Sequence, residues 1–294
     1  MSRRSWVLVV LILAVVLSLC SITALGILYA IFGDVEDSFG GHNVAIVDVK
    51  GVITEARPTI RRLEKLTKES GIKGIVVRIE SPGGVVGPTQ EIYSAILQAR
   101  EKKHVVTSFG GVAASGGYYV ALAGEKIISN PGTLTGSLGV KMEFANLEGL
   151  YEWAKINPFT LKSGKYKDIG SPSRPMTPEE RRLLDNMLKD VHNQFRDAVK
   201  ENRKLDDRVL SLVTDGRIFS GRQALEYGLV DELGGIQVAI KSVAELANVK
   251  VPKVLYPTEP RRSVWKFLME SVSDINNLLP TQRKPHPSPM FIME

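Results

Sequence analysis

KGIVVRIESPGGVVGPTQEIYSAILQAREKKHVVTSF, residues 73–109, holds the pattern that decides the fold. Residues 73–79 (KGIVVRI) are rich in β-branched side chains and almost continuously apolar, as in a strand buried on both faces. A Pro-Gly-Gly turn follows. Residues 88–102 then place Ile92, Ile96 and Leu97 on one face of a helix, and 104–108 return to strand character. This alternation predicts a parallel βαβ unit. Working outward, residues 44–53 (VAIVDVKGVI) predict another buried strand, and 57–69 a helix with Pro58 near its start. The fold class is α/β.

Past this unit, Thr177 with Glu180 at capping-box spacing opens a long helix over about 177–201. Residues 220–228 form a short helix with Ser220 as cap and Gly228 as stop, and 235–247 form another. Pro257 and Pro260 precede an amphipathic stretch at about 263–279. Residues 281–289 (TQRKPHPSP) are too polar and proline-rich to pack, and read as a tether. The chain then ends in an apolar cluster, Met290, Phe291, Ile292 and Met293, which a tether does not need. A membrane or subunit contact would account for it, and a disordered end with no role is the competing reading. A sharper expectation is that the cluster imitates an extended peptide ligand, held near its groove at high effective concentration.

The 294 residues carry a formal net charge of +6, but the basic residues are scattered. Without a basic stripe interleaved with aromatics, nucleic acid is not an expected partner. Cys20 is the single cysteine, which excludes an intrachain disulfide, a cysteine nucleophile in the soluble part and a cysteine zinc site. The four histidines have no metal-like spacing, and no dinucleotide or Walker motif occurs, so no cofactor is expected. From Trp6 to Phe32 no residue is charged, longer than the ~20 residues that span a hydrocarbon core. Arg3 and Arg4 precede this run, while Asp34, Glu36 and Asp37 follow it. The expectation is a retained, single-pass anchor with a cytoplasmic N-terminus and the remainder outside the cytoplasm. Leu19, bulky before Cys20, argues against a lipoprotein. The domain expectation is 1–33 anchor, 34–42 linker, 43–258 main domain, and 259–294 C-terminal helix and flexible tail.

The chemistry centres on GVAASGGYYVALAG, residues 111–124. Ser115 sits where a strand ends and a helix could begin, which exposes its Oγ and aims free helix amides at a nearby anion. Gly116 leaves its amide unshielded, as an oxyanion donor requires. A plain helix N-cap is the competing reading of this stretch. A second glycine turn, ESPGGVVG at 80–87, brings bare backbone to a strand end. Either Gly83 or Gly84 could supply a second oxyanion donor.

Six motifs occur in order: SPGG at 81–84, AASGGYY at 113–119, NPGTLTGSLGV at 130–140, SGKYKD at 163–168, SPSRPMTPEE at 171–180 and GRQALEYGLVDELGG at 221–235. Together they resemble the bacterial signal peptide peptidase A family in its half-length, membrane-anchored form, over residues 42–258. The resemblance implies a Clp protease/crotonase-like superhelix of β-β-α and β-α-β repeats. It implies a serine–lysine dyad, with Ser115 as nucleophile and Lys167 as general base. It makes Ser137 the serine that orients the lysine, and Gly83 or Gly84 the oxyanion glycine. It further implies a homo-oligomeric, octameric ring, the membrane as location, and cleaved signal peptides or unfolded peptides as substrates.

The chemistry accepts these roles. A lysine in water is almost fully protonated at neutral pH, and burial is the usual way to make it a base. Lys162 and Lys165 carry the same charge nearby, and only the motif register separates Lys167 from them. His104 lies at a strand start, far along the chain from Ser115. Two other readings compete: an acyl-CoA hydratase within the same fold, which needs no Ser–Lys pair, and a catalytically silent membrane scaffold.

Overall fold

The structure, a computed structural model, describes residues 6, 13, 15–23, 41–257 and 290–292. The chain divides into two units, Met1–Ser38 with Thr258–Arg283, and Phe39–Pro257 with Lys284–Glu294. In the first, residues 15–23 are helical, and the Ser21 and Thr23 hydroxyls donate to the carbonyls of Leu17 and Leu19 one turn back. Among the described residues no helix is long and apolar enough to cross a membrane. Most of the expected anchor, nearly all of the 34–42 linker, the 263–279 stretch and the 281–289 tether lie outside the described residues.

The second unit is built on a mainly parallel sheet. Its strands are β1 (Val44–Lys50), β2 (Gly74–Ser81), β4 (His104–Ala114), β5 (Lys126–Ser129), β6 (Leu134–Gly136), β7 (Ile218–Ser220), β8 (Glu232–Leu233) and β9 (Val254–Leu255). The main path runs β7-β6-β4-β2-β1-β9, and β5 and β8 continue from the same edge of β4. All neighbours are parallel except β6 and β7. Long β4 serves two partners: Val106–Ser108 pair with β5, and Val112–Ala114 with β6.

The continuous apolarity of β1 and β2 reflects burial on both faces. Ala45, Val47, Ile75, Val77, Val105 and Phe109 point into the larger core, under helices α1 (Arg57–Lys68), α2 (Val86–Arg100) and α3 (Gly116–Ala121). Val44, Ile46, Val76 and Val106 point the other way, against Ala239, Ile240 and Val243 of a further helix at Ile236–Leu246. Fully burying one such Ile or Val contributes about 1.5–3 kcal/mol, so the two-faced sheet holds the frame rigid beneath the loops at its ends.

Within residues 57–247 the sequence-predicted helices form with small boundary shifts. The long one runs Pro178–Arg203 behind Thr177, with both capping-box hydrogen bonds present. Ser220 caps Gly221–Glu226 with a second capping box through Gln223, and Gly228 beyond it has φ +73°. Two readings need correcting. The strand placed at 44–53 ends at Lys50, because Gly51 turns the chain at φ +69°. The strand placed at 104–108 continues to Ala114, through glycines and alanines that carry no strand signal of their own. A short strand, β3 (Gly83–Val85), lies apart from the main sheet, and β10 (Met290–Ile292) pairs with it antiparallel.

Candidate active site

β4 delivers Ser115 to the end of the sheet. Its backbone is in an unusual region, φ 51° and ψ −115°, which for a non-glycine residue costs about 1–3 kcal/mol and is typical of functional positions. The Ser115 amide donates to the Gly136 carbonyl at 2.8 Å, which anchors the turn. Ser115 occupies the N-cap position of α3, but its side chain makes no capping hydrogen bond. Its Oγ is buried and has no partner among the described residues. An ordinary cap would use that oxygen, so the N-cap reading fails. The Gly116 amide, first in α3, is one that the helix leaves free. Gly117 is glycine because a Cβ there would meet the Ser81 carbonyl at 2.7 Å, and this close approach holds the nucleophile turn against β2.

The second glycine turn runs beside it, and the structure separates its two glycines. The Gly83 amide donates to Ser81 Oγ at 3.1 Å. On one edge of β3, the Gly83 carbonyl accepts from the Ile53 amide and the Val85 amide donates to the Ile53 carbonyl, both at 2.8 Å. Alternation along a strand therefore turns the Gly84 N–H and C=O to the opposite edge. A Cβ on Gly84 would lie 2.1 Å from the Ile53 oxygen, so only glycine fits. That opposite edge carries β10, with Met290 opposite Val85, Phe291 opposite Gly84 and Ile292 opposite Gly83. β10 also packs against α3. The backbone of the C-terminal apolar cluster thus lies as an added strand between the two glycine turns' elements, in the manner of a bound peptide.

Ser137 is close by construction. The parallel register Ala114↔Gly136 leaves Ser115 and Ser137 as the next residues past two paired strand ends. Ser137 likewise has positive φ, 54°, and its amide donates to the Arg217 carbonyl at 2.7 Å.

Lys167 is different. It is exposed, and no hydrogen bond or ion pair of its ammonium group occurs among the described residues, Ser115 and Ser137 included. The other two lysines are committed: Lys162 to Asp168 at 2.6 Å, and Lys165 to Glu179 at 2.5 Å, where the Tyr166 hydroxyl also donates. Structure therefore distinguishes Lys167 from its neighbours where composition could not. The segment carrying it is pinned by Arg174, which donates from Nε to Asp168 at 3.0 Å and from its two terminal nitrogens to Glu180 at 2.9 and 2.5 Å. The Arg174 hydrogen bond, then that of Lys162, holds the Asp168 carboxyl well below the usual carboxylate range. Arg174, with Thr177, brings Glu180 down to about 2. The charges of the SGKYKD and SPSRPMTPEE motifs are thus the lock that fixes this loop to the long helix.

His104 pairs with Glu125 at the far end of β4, roughly 30 Å from Ser115 at ~3.3 Å per strand residue, and cannot be its base. The sequence reading missed Asn130, Thr133 and Thr135, whose side chains hold β4 carbonyls on the way to Ser115. Buried threonines in a glycine-rich loop were the available signal.

Comparison with known proteins shows what the chain as a whole is similar to. The family model described as Peptidase family S49 matches residues 98–250, and that described as Clp protease matches 44–133. A protein of Synechocystis sp. that carries a protease name is 42% identical over 212 residues, covering 72% of this chain and 76% of its own. A protein of Methanocaldococcus jannaschii, also with a protease name, is 32% identical over 279 residues, covering 90% and 89%. The chloroplastic serine protease SPPA of Arabidopsis thaliana is 34% identical over 199 residues, 67% of this chain and 29% of its own.

Proposed function

This chain is a serine peptidase and belongs to peptidase family S49, signal peptide peptidase A-like, and on that premise we propose that it is a membrane-anchored endopeptidase using Ser115 as nucleophile and Lys167 as base. The observation that carries the reading is Ser115 itself, held in a strained backbone with a buried, uncommitted Oγ beside a free helix amide. In the reaction, Ser115 Oγ attacks the scissile carbonyl while the neutral Lys167 amine takes its proton. The Gly116 amide and one from the Gly83–Gly84 turn receive the oxyanion. The lysine returns the proton to the leaving amine, which departs and leaves an acyl-serine. Water, deprotonated by the same amine, releases the acid. Ser137 orients the amine.

Lys167 needs burial and a serine, and neither comes from its own loop. A second copy supplies both: in a homo-oligomeric ring the lysine loop of one chain covers Ser115 of another. Exposed Trp153, Phe159 and Leu161, just before the loop, support such a contact. Substrates are apolar peptides that lie extended on β3, bound mainly by backbone. Residual signal peptides have that chemistry, and the Trp6–Phe32 anchor places the peptidase where they lie. The pairing of β10 with β3 supports this binding mode, and makes the chain's own C-terminus a substrate to be trimmed by Ser115.

A fluorophosphonate probe and intact mass measurement on the full-length protein in detergent test the proposal together. The probe should label Ser115 alone, and the wild-type C-terminus should be shortened while Ser115→Ala keeps Glu294. No labelling and no peptidase activity would favour the silent scaffold. Full-length C-termini in both proteins, with an unchanged rate on deleting 285–294, would remove the self-processing part.

A further inference from the structure

β2 and β4 fall out of step just before the nucleophile. Ile79 pairs with Phe109, but Ser81 pairs with Ala113, so two steps on β2 face four on β4. Residues 110–112 therefore lose the regular ladder toward β2, yet the backbone groups of this stretch still need partners. Side chains provide them. The Gly110 carbonyl accepts from Thr133 Oγ1 at 2.6 Å, and the Ala113 carbonyl from Thr135 Oγ1 at 2.6 Å. The Phe109 carbonyl accepts from Arg78 at 2.6 Å and from Asn130 at 3.1 Å.

The amides on the bulge go to one residue. Glu80 Oε2 accepts from the Gly111 amide at 2.7 Å and Oε1 from the Val112 amide at 3.1 Å. Its backbone carbonyl meanwhile accepts from the Gly51 amide at 2.9 Å on the β1 side. The side chain thus stands in for the missing stretch of strand. Gly110 leaves the room: a Cβ there would lie 1.5 Å from Glu80 Oε2. Glu80 is also the residue before Ser81, whose Oγ accepts from the Gly83 amide. One carboxylate thereby ties the arm that ends in Ser115 to the arm that carries the Gly83–Gly84 turn.

We propose that Glu80 is a positioning residue, whose carboxylate sets the path of the β4 bulge and so the place of Ser115 relative to the glycine strand β3. The proposal rests on Ser115 being the nucleophile. A carboxylate matches this place because it accepts at both oxygens. A glutamine accepts at one and presents N–H to the other amide, which leaves one bulge amide unpaired. Misplacing a reacting group by a fraction of an ångström to 1 Å lowers kcat by up to ~100-fold while binding far from the nucleophile is unaffected.

The test compares full-length wild type, Glu80→Gln, Glu80→Ala, Gly110→Ala, the Glu80→Ala/Gly110→Ala double variant and Ser115→Ala, measuring kcat, KM and Tm on an apolar peptide. Glu80→Gln should lose on the order of 10-fold in kcat and Glu80→Ala up to ~100-fold, with KM within about twofold. Gly110→Ala evicts the carboxylate and should match Glu80→Ala, and the double variant should be no worse than either single one. A purely structural role would lower Tm and the active fraction of all variants together and leave kcat per labelled serine unchanged. That result, wild-type kcat in Glu80→Ala, or multiplying losses in the double variant would each overturn the proposal. Should Glu80→Ala fail to fold, Glu80→Gln and Gly110→Ala decide in the same way. Full activity in Ser115→Ala would instead remove the nucleophile assignment beneath it.

Discussion

The serine side and the lysine side of this molecule are built in opposite ways. From Ile79 to Leu138, Ile79, Phe109, Ala113, Ala114, Ser115, Tyr118, Thr135 and Leu138 are wholly buried, and side chains hold one backbone carbonyl after another on the way to Ser115. From Ala154 to Thr177 the chain forms neither helix nor strand. There Phe159 is 85% and Leu161 91% exposed, directly after Trp153 at 81%, and Lys167 is exposed with no partner for its ammonium group among the described residues. The serine side is finished within one chain. The lysine loop is held at its base by Arg174 and by Lys165 and Tyr166 on Glu179, while its large apolar groups and the Lys167 ammonium are displayed. Large apolar groups shown together mark a surface that something covers. On the function proposed above, the difference means that a single chain carries the parts of a peptidase and completes only half of its site.

The largest effect should separate the three lysines. Lys167→Ala should lose activity as severely as Ser115→Ala, on the order of 10³-fold or more, whereas Lys162→Ala, which loses contacts to Asp168 and the Lys165 carbonyl while Arg174 keeps Asp168 paired, should retain most of it. Peptide turnover rates decide this, and the reverse pattern would move the base to Lys162. Next comes stability. Thr135→Val removes a buried hydrogen bond to the Ala113 carbonyl and should cost about 0.5–1.5 kcal/mol in denaturant unfolding. Trp153→Ser, at a residue 81% exposed, should change the unfolding of the single chain by no more than about 0.5 kcal/mol, yet lower the apparent mass in sedimentation. Equal stability losses would erase the contrast between the two sides.

The smallest effect is one of pH. Glu180 sits at about 2 against an ordinary value of 4.5, and Asp168 is likewise depressed, both mainly by Arg174. A depressed carboxyl stabilises fully above its unfolded value and loses that contribution as pH falls toward its folded value. Amide hydrogen exchange in 162–180 should therefore rise between about pH 4.5 and about pH 2, while 104–115 stays protected.

The frame was legible because both strand and helix signals there are strong: VAIVDV and GIVVRI cannot be hidden, and the Thr177 and Ser220 caps announce their helices. The continuation of β4 was not, since Gly110, Gly111, Ala113 and Ala114 have no periodicity and are held by side chains distant in sequence. Strands β3 and β6 are three residues each and glycine-bearing, below what a pattern can carry. Ser115, Ser137, Gly83, Gly84 and Gly116 were legible as a motif, while the positive φ of both serines and the task of Glu80 needed coordinates. Lys167 was legible only as a register within SGKYKD. What sets it apart, an ammonium group without a partner among the described residues beside two paired lysines, is a property of three dimensions.

The central claim is that Ser115 and Lys167 meet across two copies of the chain. Co-expressing Ser115→Ala and Lys167→Ala chains with different tags, and purifying the assemblies that contain both, tests it directly. Each variant alone should be inactive, and the mixed assembly should regain peptidase activity, because some sites join an intact Ser115 from one chain to an intact Lys167 from the other. A mixed assembly that contains both chains and remains as inactive as either variant would contradict the account and place the whole site within a single chain.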